Sequence, residues 1–464
     1  MTTRYRIDPI PKDFSNAFKG ADIRGLYGVE INEALAYRIA MAFVSKLSLR
    51  RVLVARDMRL SSPTLRTAFV AGVRDAGADV IDIGLAETPA LYYASGTYDC
   101  AGVMITASHN PKEYNGFKLV TAGAVPVTNS SGLSAIKKAV QLSSPPPVAT
   151  RGSYQKKSIL SEYARYIKTC VPLSITTSPV RIVVDAGNGM VSLALARVAA
   201  QFPQLIIEPL FYELDGAFPN RDSNPTLAKN QRAIVNTLKT RKYDFGVAFD
   251  GDADRVAFFD EKGRYRNSAH IGALLATQML QSKPNESFVY TVFTSRQYQE
   301  AIQNAGGRAY KARVGHAYIK EKMRQYNALF ACEHSAHFYY RDNFYVDSGI
   351  MTLLHLVQTY NANRSHGTSF SQMLKPYAQY FQTEEILVQV ANKNATLAHI
   401  ADLHAKQSGY TVTRFDGVQV ACENYWFSIK KSVTENALKF VVEAPKKATA
   451  RAIQKELHKL VQSL

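Results

Sequence analysis

Twice along this chain a short apolar run, a stretch of helical spacing and a second apolar run follow one another, and this alternation limits the fold more than any other feature. Between Arg51 and Gly84 the runs are Val52–Ala55 and Val80–Gly84; Thr88–Gly96 then reads as a helix and Ala101–Thr106 as the next strand. From Arg181 the order recurs, with Arg181–Asp185, a helical stretch through Ala200, Leu205–Ile207, a second helix near 226–239 and Phe245–Asp250. Parallel strands need a crossover, usually a helix, so the rhythm predicts α/β layers with mostly parallel sheets. A third segment carries strands at Phe288–Phe293 and Arg308–Arg313 and an apolar run at Ala328–Ala331. The C-terminal part changes rhythm: strands at Ile386–Val390, Tyr410–Phe415, Trp426–Lys430 and Leu438–Val442, with helices near 397–407 and 449–460, predict an α+β layer of antiparallel strands. Pro145, Pro146 and Pro147 cannot propagate a helix, so the linker 141–152 ends the first domain. The expected domains are 1–152, 153–254, 255–376 and 377–464.

Polar bursts stand at the ends of two of these runs. Thr106-Ala107-Ser108-His109-Asn110-Pro111 follows the run Gly102–Ile105, at the C-terminal strand end where open α/β sheets place their sites. A lone loop serine usually bonds backbone or water, but His109 and Lys118 lie close by in sequence, and a serine phosphate would need basic groups and a metal around it. The second burst is Asp250-Gly251-Asp252-Ala253-Asp254-Arg255. Its carboxylates alternate with small residues, so a tight turn can aim all three at one hard cation, with Mg²⁺ the natural occupant. An EF-hand loop would need Gly at the sixth position and Glu at the twelfth; Arg255 and Glu261 stand there, and the run follows a strand pattern instead of a helix.

These segments, in this order, resemble the α-D-phosphohexomutase family of phosphomannomutases and phosphoglucomutases, and the likeness runs almost end to end. Phe18–Gly25 (FKGADIRG) is similar to the family's opening motif and Val54–Pro63 (VARDMRLSSP) to its G-R-D-x-R-x-S-S segment. Asp185–Gly189, Phe218–Asn220, Val314–His316 with Lys320, Glu333–His337 and Phe338–Gly349 continue the match. The resemblance implies three similar α/β domains with mixed, mostly parallel sheets plus a C-terminal α+β domain, arranged around a central cleft. It implies a resting phosphoserine at Ser108 and Mg²⁺ held by Asp250, Asp252, Asp254 and a phosphoserine oxygen. It places Lys118 and His337 at proton-transfer positions, with His109 beside the serine. Arg24, Arg255 and His316 match positions that support phosphate and the attacking hydroxyl, and Glu333 and Ser335 match the pair that holds sugar hydroxyls.

The departures gather at the distal phosphate loop, R-x-S-[GN]-T-x-P in the family and Lys430-Lys431-Ser432-Val433-Thr434-Glu435-Asn436 here. Lysine brings a flexible point charge in place of a planar fork. Val433 resists positive φ. The Ser432 and Thr434 hydroxyls and successive N–H groups can still cradle an anion. Ala21 replaces a common tyrosine and Ala336 a glycine.

The net charge of +18 invites a nucleic-acid reading, but the basic residues are scattered, without a long run, zinc-finger spacing or aromatic RNA motif. A positive field suits dianionic sugar phosphates and would retain a bisphosphate while it reorients. Cys100, Cys170, Cys332 and Cys422 offer neither a CxxC pair nor a zinc ribbon, which fits reduced thiols in the cytoplasm. No apolar run approaches a membrane span. The expectation is therefore a cytoplasmic monomer or weak dimer with a phosphosugar partner, and no nucleic acid or membrane. The resemblance implies that it interconverts hexose 6-phosphate and hexose 1-phosphate, with mannose first and glucose second, through a hexose 1,6-bisphosphate. The alternatives are a degenerate sugar-phosphate sensor, a phosphoglucosamine mutase, or an Asp-nucleophile phosphatase, which would leave the Ser108 segment unexplained.

Overall fold

The computed structural model describes residues 9–142, 148–173, 178–240, 242–364, 367–432 and 435–464. The proline-rich part of the expected linker, 143–147, and Val433 and Thr434 of the distal loop lie outside the described residues. The chain forms two compact units: residues up to Tyr265 with His337–Phe370, and Arg266–Ala336 with Ser371–Leu464.

In the first unit the run at 52–55 forms the fully buried centre of strand Arg51–Arg56. That strand pairs in parallel with Asp79–Leu85 on one side and Ala101–Ile105 on the other. Helix Ser62–Asp75, with Pro63 in its first turn where the missing N–H costs nothing, makes the crossover. Tyr114–Thr121 then returns antiparallel to Ala101–Ile105 and is itself flanked antiparallel by Ile23–Leu26, so the sheet is mixed. Its core joins Val52, Val54, Val103 and Ile105 to Leu65 and Phe69 of the crossover helix and Leu35 and Phe43 of helix Glu33–Leu47. Each such side chain contributes roughly 1.5–3 kcal/mol relative to exposure. The sheet runs past the boundary expected at residue 152, because Tyr154–Lys156 adds in parallel to Asp79–Leu85.

The second sheet of this unit sets Val180–Asp185 between Leu205–Leu210 and Phe245–Phe249, all parallel. Val256–Asp260 folds back antiparallel onto Phe245–Phe249, so the acidic segment is the turn of a hairpin. The strand after the turn, beyond the boundary expected at residue 254, pairs with the strand before it, and every residue of both strands is buried along a continuous ladder. Phe338–Tyr340 and Val346–Asp347 form a further short hairpin.

In the second unit Ser287–Thr291 pairs in parallel with Arg308–Ala312 and Phe330–Cys332. The C-terminal sheet is antiparallel, with Ala437–Ala444 beside Trp426–Lys431, followed by Val418–Ala421 and Thr411–Arg414, and with Ile386–Gln389 on the other side. Helices Lys393–Ala405 and Lys447–Ser463 supply Leu397, Ile400, Leu457 and Val461 to its core, as an α+β layer requires. The molecule is thus α/β with three α/β layers and a fourth, α+β part. All four cysteines are free, and no described helix is long and apolar enough to cross a membrane.

Candidate active site

Ser108 stands three residues beyond strand Ala101–Ile105, 2% exposed and at φ +49°, a left-handed conformation uncommon for a residue with a side chain. Local and distant bonds hold it there. The Thr106 hydroxyl accepts from the Ser108 N–H at 2.9 Å. From below, the fully buried Arg59 guanidinium donates to the carbonyls of Ser108 (2.8 Å), Asn110 (2.7 Å), Pro111 (2.6 Å) and Tyr114 (3.0 Å) and pairs with Asp57 at 3.2 Å. Four carbonyls of one loop thereby converge on a single cation, which a planar fork of five N–H donors can satisfy and an ammonium cannot.

The Ser108 hydroxyl donates to Asp250 Oδ2 at 2.8 Å and lies 3.2 Å from His109 Nδ1. Asp250, Asp252 and Asp254 are all at most 2% exposed. Lys118, carried on the returning strand, donates to Asp252 Oδ2 at 2.8 Å and Asp254 Oδ2 at 2.5 Å. Thr88 adds its hydroxyl to Asp252 Oδ2 at 2.5 Å and its N–H to the Asp252 carbonyl. His337 Nε2 lies 3.3 Å from Asp254 Oδ1 and 3.3 Å from Arg255 Nε. Arg24 reaches the same loop through Asn110 Oδ1 at 2.9 Å and is braced by Asp22.

Burial in this cluster works against every charge, and the neighbours decide each outcome. Asp250 is pushed well above the carboxylate range by burial and then by the charges of Asp254 and Asp252. Asp254 falls well below it, because Lys118 and His337 outweigh its burial. Lys118 is likewise buried, yet Asp252 and Asp254 hold it protonated well above its ordinary value. Desolvation, with Arg255 and Arg24 nearby, keeps His109 neutral. The donor set suits a hard divalent cation. The three aspartates each offer an oxygen within 4.8 Å of the others, and Asp252 Oδ1 is buried with no hydrogen-bond partner among the described residues.

Nine of the residues expected from the sequence therefore meet in the first unit: Arg24, Ser108, His109, Lys118, Asp250, Asp252, Asp254, Arg255 and His337. Reading the chain alone misses Thr88, Arg59 and Asp347, the last of which groups with Asp254 and His337. Arg59 lies inside the Val54–Pro63 motif and was legible as a candidate. Thr88 and Asp347 have no local signal beyond standing near strand or helix ends.

The remaining expected residues lie in the second unit. His316 opens helix His316–Gln325 after Gly315. Glu333 is buried in the turn after Phe330–Cys332, where Ala336 adopts φ +70°. Lys430 is 7% exposed and donates to Asp416 Oδ2 at 2.7 Å. Asp416 also accepts from Val314 N at 2.8 Å and stands 3.7 Å from Arg313 Nε. The lysine expected to offer its charge to phosphate is thus already partnered by a carboxylate. Ser432 is buried, and Lys393 Nζ donates to its carbonyl at 3.3 Å. Thr434 falls outside the described residues.

A mixed α/β layer with a serine loop at one strand end and a carboxylate hairpin beside it defines a phosphoryl-handling enzyme. Family models for phosphoglucomutase/phosphomannomutase match the chain over residues 15–144 (alpha/beta/alpha domain I), 161–263 (domain II) and 267–380 (domain III). The chain belongs to the phosphoglucomutase/phosphomannomutase family and is an isomerase, a hexose-phosphate mutase. It is 36% identical over 432 residues to the phosphohexose mutases of Xanthomonas campestris pv. campestris strain B100, covering 92% of this chain and 94% of theirs. With a phosphomannomutase of Escherichia coli it shares 33% identity over 434 residues, again 92% and 94% of the two chains. Among solved structures, a phosphoglucomutase/phosphomannomutase family protein from Burkholderia thailandensis matches with a TM-score of 0.86 at 27% identity over 97% of both chains.

Proposed function

We propose that this enzyme interconverts hexose 6-phosphate and hexose 1-phosphate by a phosphoserine relay at Ser108, with mannose phosphate as the first substrate and glucose phosphate as the second. The observation that carries the reading is the Ser108 hydroxyl 2.8 Å from Asp250, inside a cluster whose other carboxylates are bound by Lys118. Phosphate on Ser108 passes to the free hydroxyl of the sugar phosphate, giving a hexose 1,6-bisphosphate. The bisphosphate reorients, and the Ser108 oxygen takes back the other phosphate, so one P–O bond forms for each that breaks. Asp250, Asp252, Asp254 and a phosphoserine oxygen would hold Mg²⁺, which when bound supplies charge neutralisation for the transferring group.

Lys118 and His337 are assigned to proton transfer, His109 to the hydroxyl beside it, and Arg24, Arg255 and His316 to phosphate and the attacking hydroxyl. Glu333 and Ser335 are assigned to sugar hydroxyls, and Lys430, Ser432 and Thr434 to the distal phosphate. The names of the similar chains, phosphomannomutase and phosphohexose mutases, support mannose with a second hexose. Four free thiols fit a cytoplasmic location. Intact-mass analysis of resting enzyme should find one labile phosphate, absent from Ser108→Ala. Side-by-side turnover of mannose, glucose and glucosamine 1-phosphates, primed with bisphosphate, ranks the substrates. Unchanged turnover in Ser108→Ala sinks the relay.

A further inference from the structure

The backbone carbonyl of Ser108 receives two donors that never touch its hydroxyl. One is Arg59, in the segment between strand Arg51–Arg56 and helix Ser62–Asp75. The other is the hydroxyl of Ser223, 1% exposed, which donates to the Ser108 carbonyl at 2.8 Å and accepts from the Gly251 N–H at 2.9 Å. A hydroxyl has one proton and two lone pairs, so it can make both bonds at once. Gly251 is the residue between Asp250 and Asp252, and its backbone approaches closely. A Cβ there would lie 2.6 Å from Ser223 Oγ and 2.9 Å from the Ser108 carbonyl oxygen.

We propose that Ser223 is a positioning residue for phosphoryl transfer, tying the Ser108 loop to the metal-binding hairpin so that the Ser108 oxygen keeps its register with Asp250. Ser108 sits at a φ its side chain disfavours, so its hydroxyl stays on the Asp250 side only while the carbonyl behind it is fixed. The same oxygen that fixes the carbonyl also fixes the peptide joining two of the carboxylates. Loss of that tie lets the two loops drift independently, and misplacement of a reacting atom by about 1 Å costs on the order of 100-fold in rate. A buried serine that merely satisfies local backbone groups would instead affect stability alone.

This inference rests on the phosphoserine reading, and the test separates the two. In the full chain, Ser223→Ala, Ser223→Thr and Ser108→Ala are compared by intact mass, steady-state turnover and ³¹P NMR of the phosphoenzyme. Ser223→Ala should still carry one phosphate and melt within about 5 °C of the parent. Its kcat should fall about 10- to 100-fold with KM within about threefold, and its phosphoserine resonance should shift toward that of free phosphoserine. Ser223→Thr, which keeps the hydroxyl, should recover kcat to within about threefold of the parent. Should Ser223→Ala fail to fold, Ser223→Cys, a somewhat larger side chain with a weak donor, takes its place with the same expected loss. An unchanged kcat and resonance in Ser223→Ala, or a threonine variant no better than alanine, overturns the proposal. Turnover by Ser108→Ala removes the phosphoserine reading and this inference with it, whatever Ser223→Ala does.

Discussion

The loop that carries Ser108 and the loop that follows Lys430 are both assigned to phosphate, yet they hold their charges differently. Around Ser108 the cations Lys118 and Arg59 face carboxylates and carbonyls that are themselves part of the site, so their charge shapes the reaction centre. In the second unit Lys430 is bound by Asp416, which also takes the Val314 N–H, so its charge first joins two structural segments. On the proposed reading the first arrangement would act on a transition state and the second would hold a ligand. Departures from the family pattern would then be tolerable at the second, since uniform binding changes KM, whereas positioning changes kcat.

Removing Lys118 should give the largest effect. Lys118→Met leaves Asp252 and Asp254 buried without their shared cation. Breaking a buried pair in this way costs roughly 3–5 kcal/mol. Turnover should fall by at least about 1,000-fold, and urea unfolding should show the lost stability. A Lys118→Met enzyme with parental stability would mean that the carboxylates do not depend on it, and the contrast with Lys430 would collapse.

The two units also differ in how they should respond to pH. In the first, burial raises the Glu87 carboxyl from its ordinary 4.5 to about 8. Its neutral form is favoured by folding, so that stability is fully present below pH 4.5 and is lost as pH rises through about 8, on the order of 5 kcal/mol at most. In the second, burial and Arg266 lower His270 from 6.5 to about 4. A neutral imidazole is favoured there, so that stability is present above pH 6.5 and lost as pH falls through about 4, on the order of 3 kcal/mol at most. Glu87→Gln should flatten the alkaline limb of a stability profile and His270→Gln the acid limb. If either variant left its limb as steep as the parent's, that residue would not be the titrating group.

Lys430→Met sharpens the comparison at the ligand end. KM for the sugar phosphate should rise about 3- to 10-fold while kcat stays within about twofold. An equal loss in kcat would make Lys430 a transition-state group and erase the distinction.

What was legible in the chain follows the range of the interactions. The runs at 52–55, 182–184 and 245–249 are buried strand centres, and burial on both faces leaves a local pattern. The Ser108 and Asp250 segments were legible because their chemistry is contiguous. Strand Val418–Ala421 was missed because its four residues are too short to establish a period. Thr88 and Ser223 were missed because their partners lie 164 and 115 residues away, and a threonine or serine bonded to a distant loop looks like any other in sequence. The hairpin return at 256–260 was not legible because a domain boundary and a tight turn carry the same small, polar residues.

The smallest effect belongs to Ala336, noted in the sequence as standing where relatives have glycine. Its φ of +70° supplies the reason for that preference, since a Cβ in the left-handed region costs about 1–2 kcal/mol. Ala336→Gly removes this strain but adds freedom to the unfolded chain, which returns about 0.4–1 kcal/mol. The balance should be a gain of roughly 0.5–1 kcal/mol, read as a rise of about 1–2 °C in Tm with kcat unchanged. A fall in Tm would mean that the Ala336 methyl, which is fully buried, contributes more by packing than its backbone loses by strain. The turn bearing Glu333 would then be held by its side chains, as the Ser108 loop is, and not by its backbone.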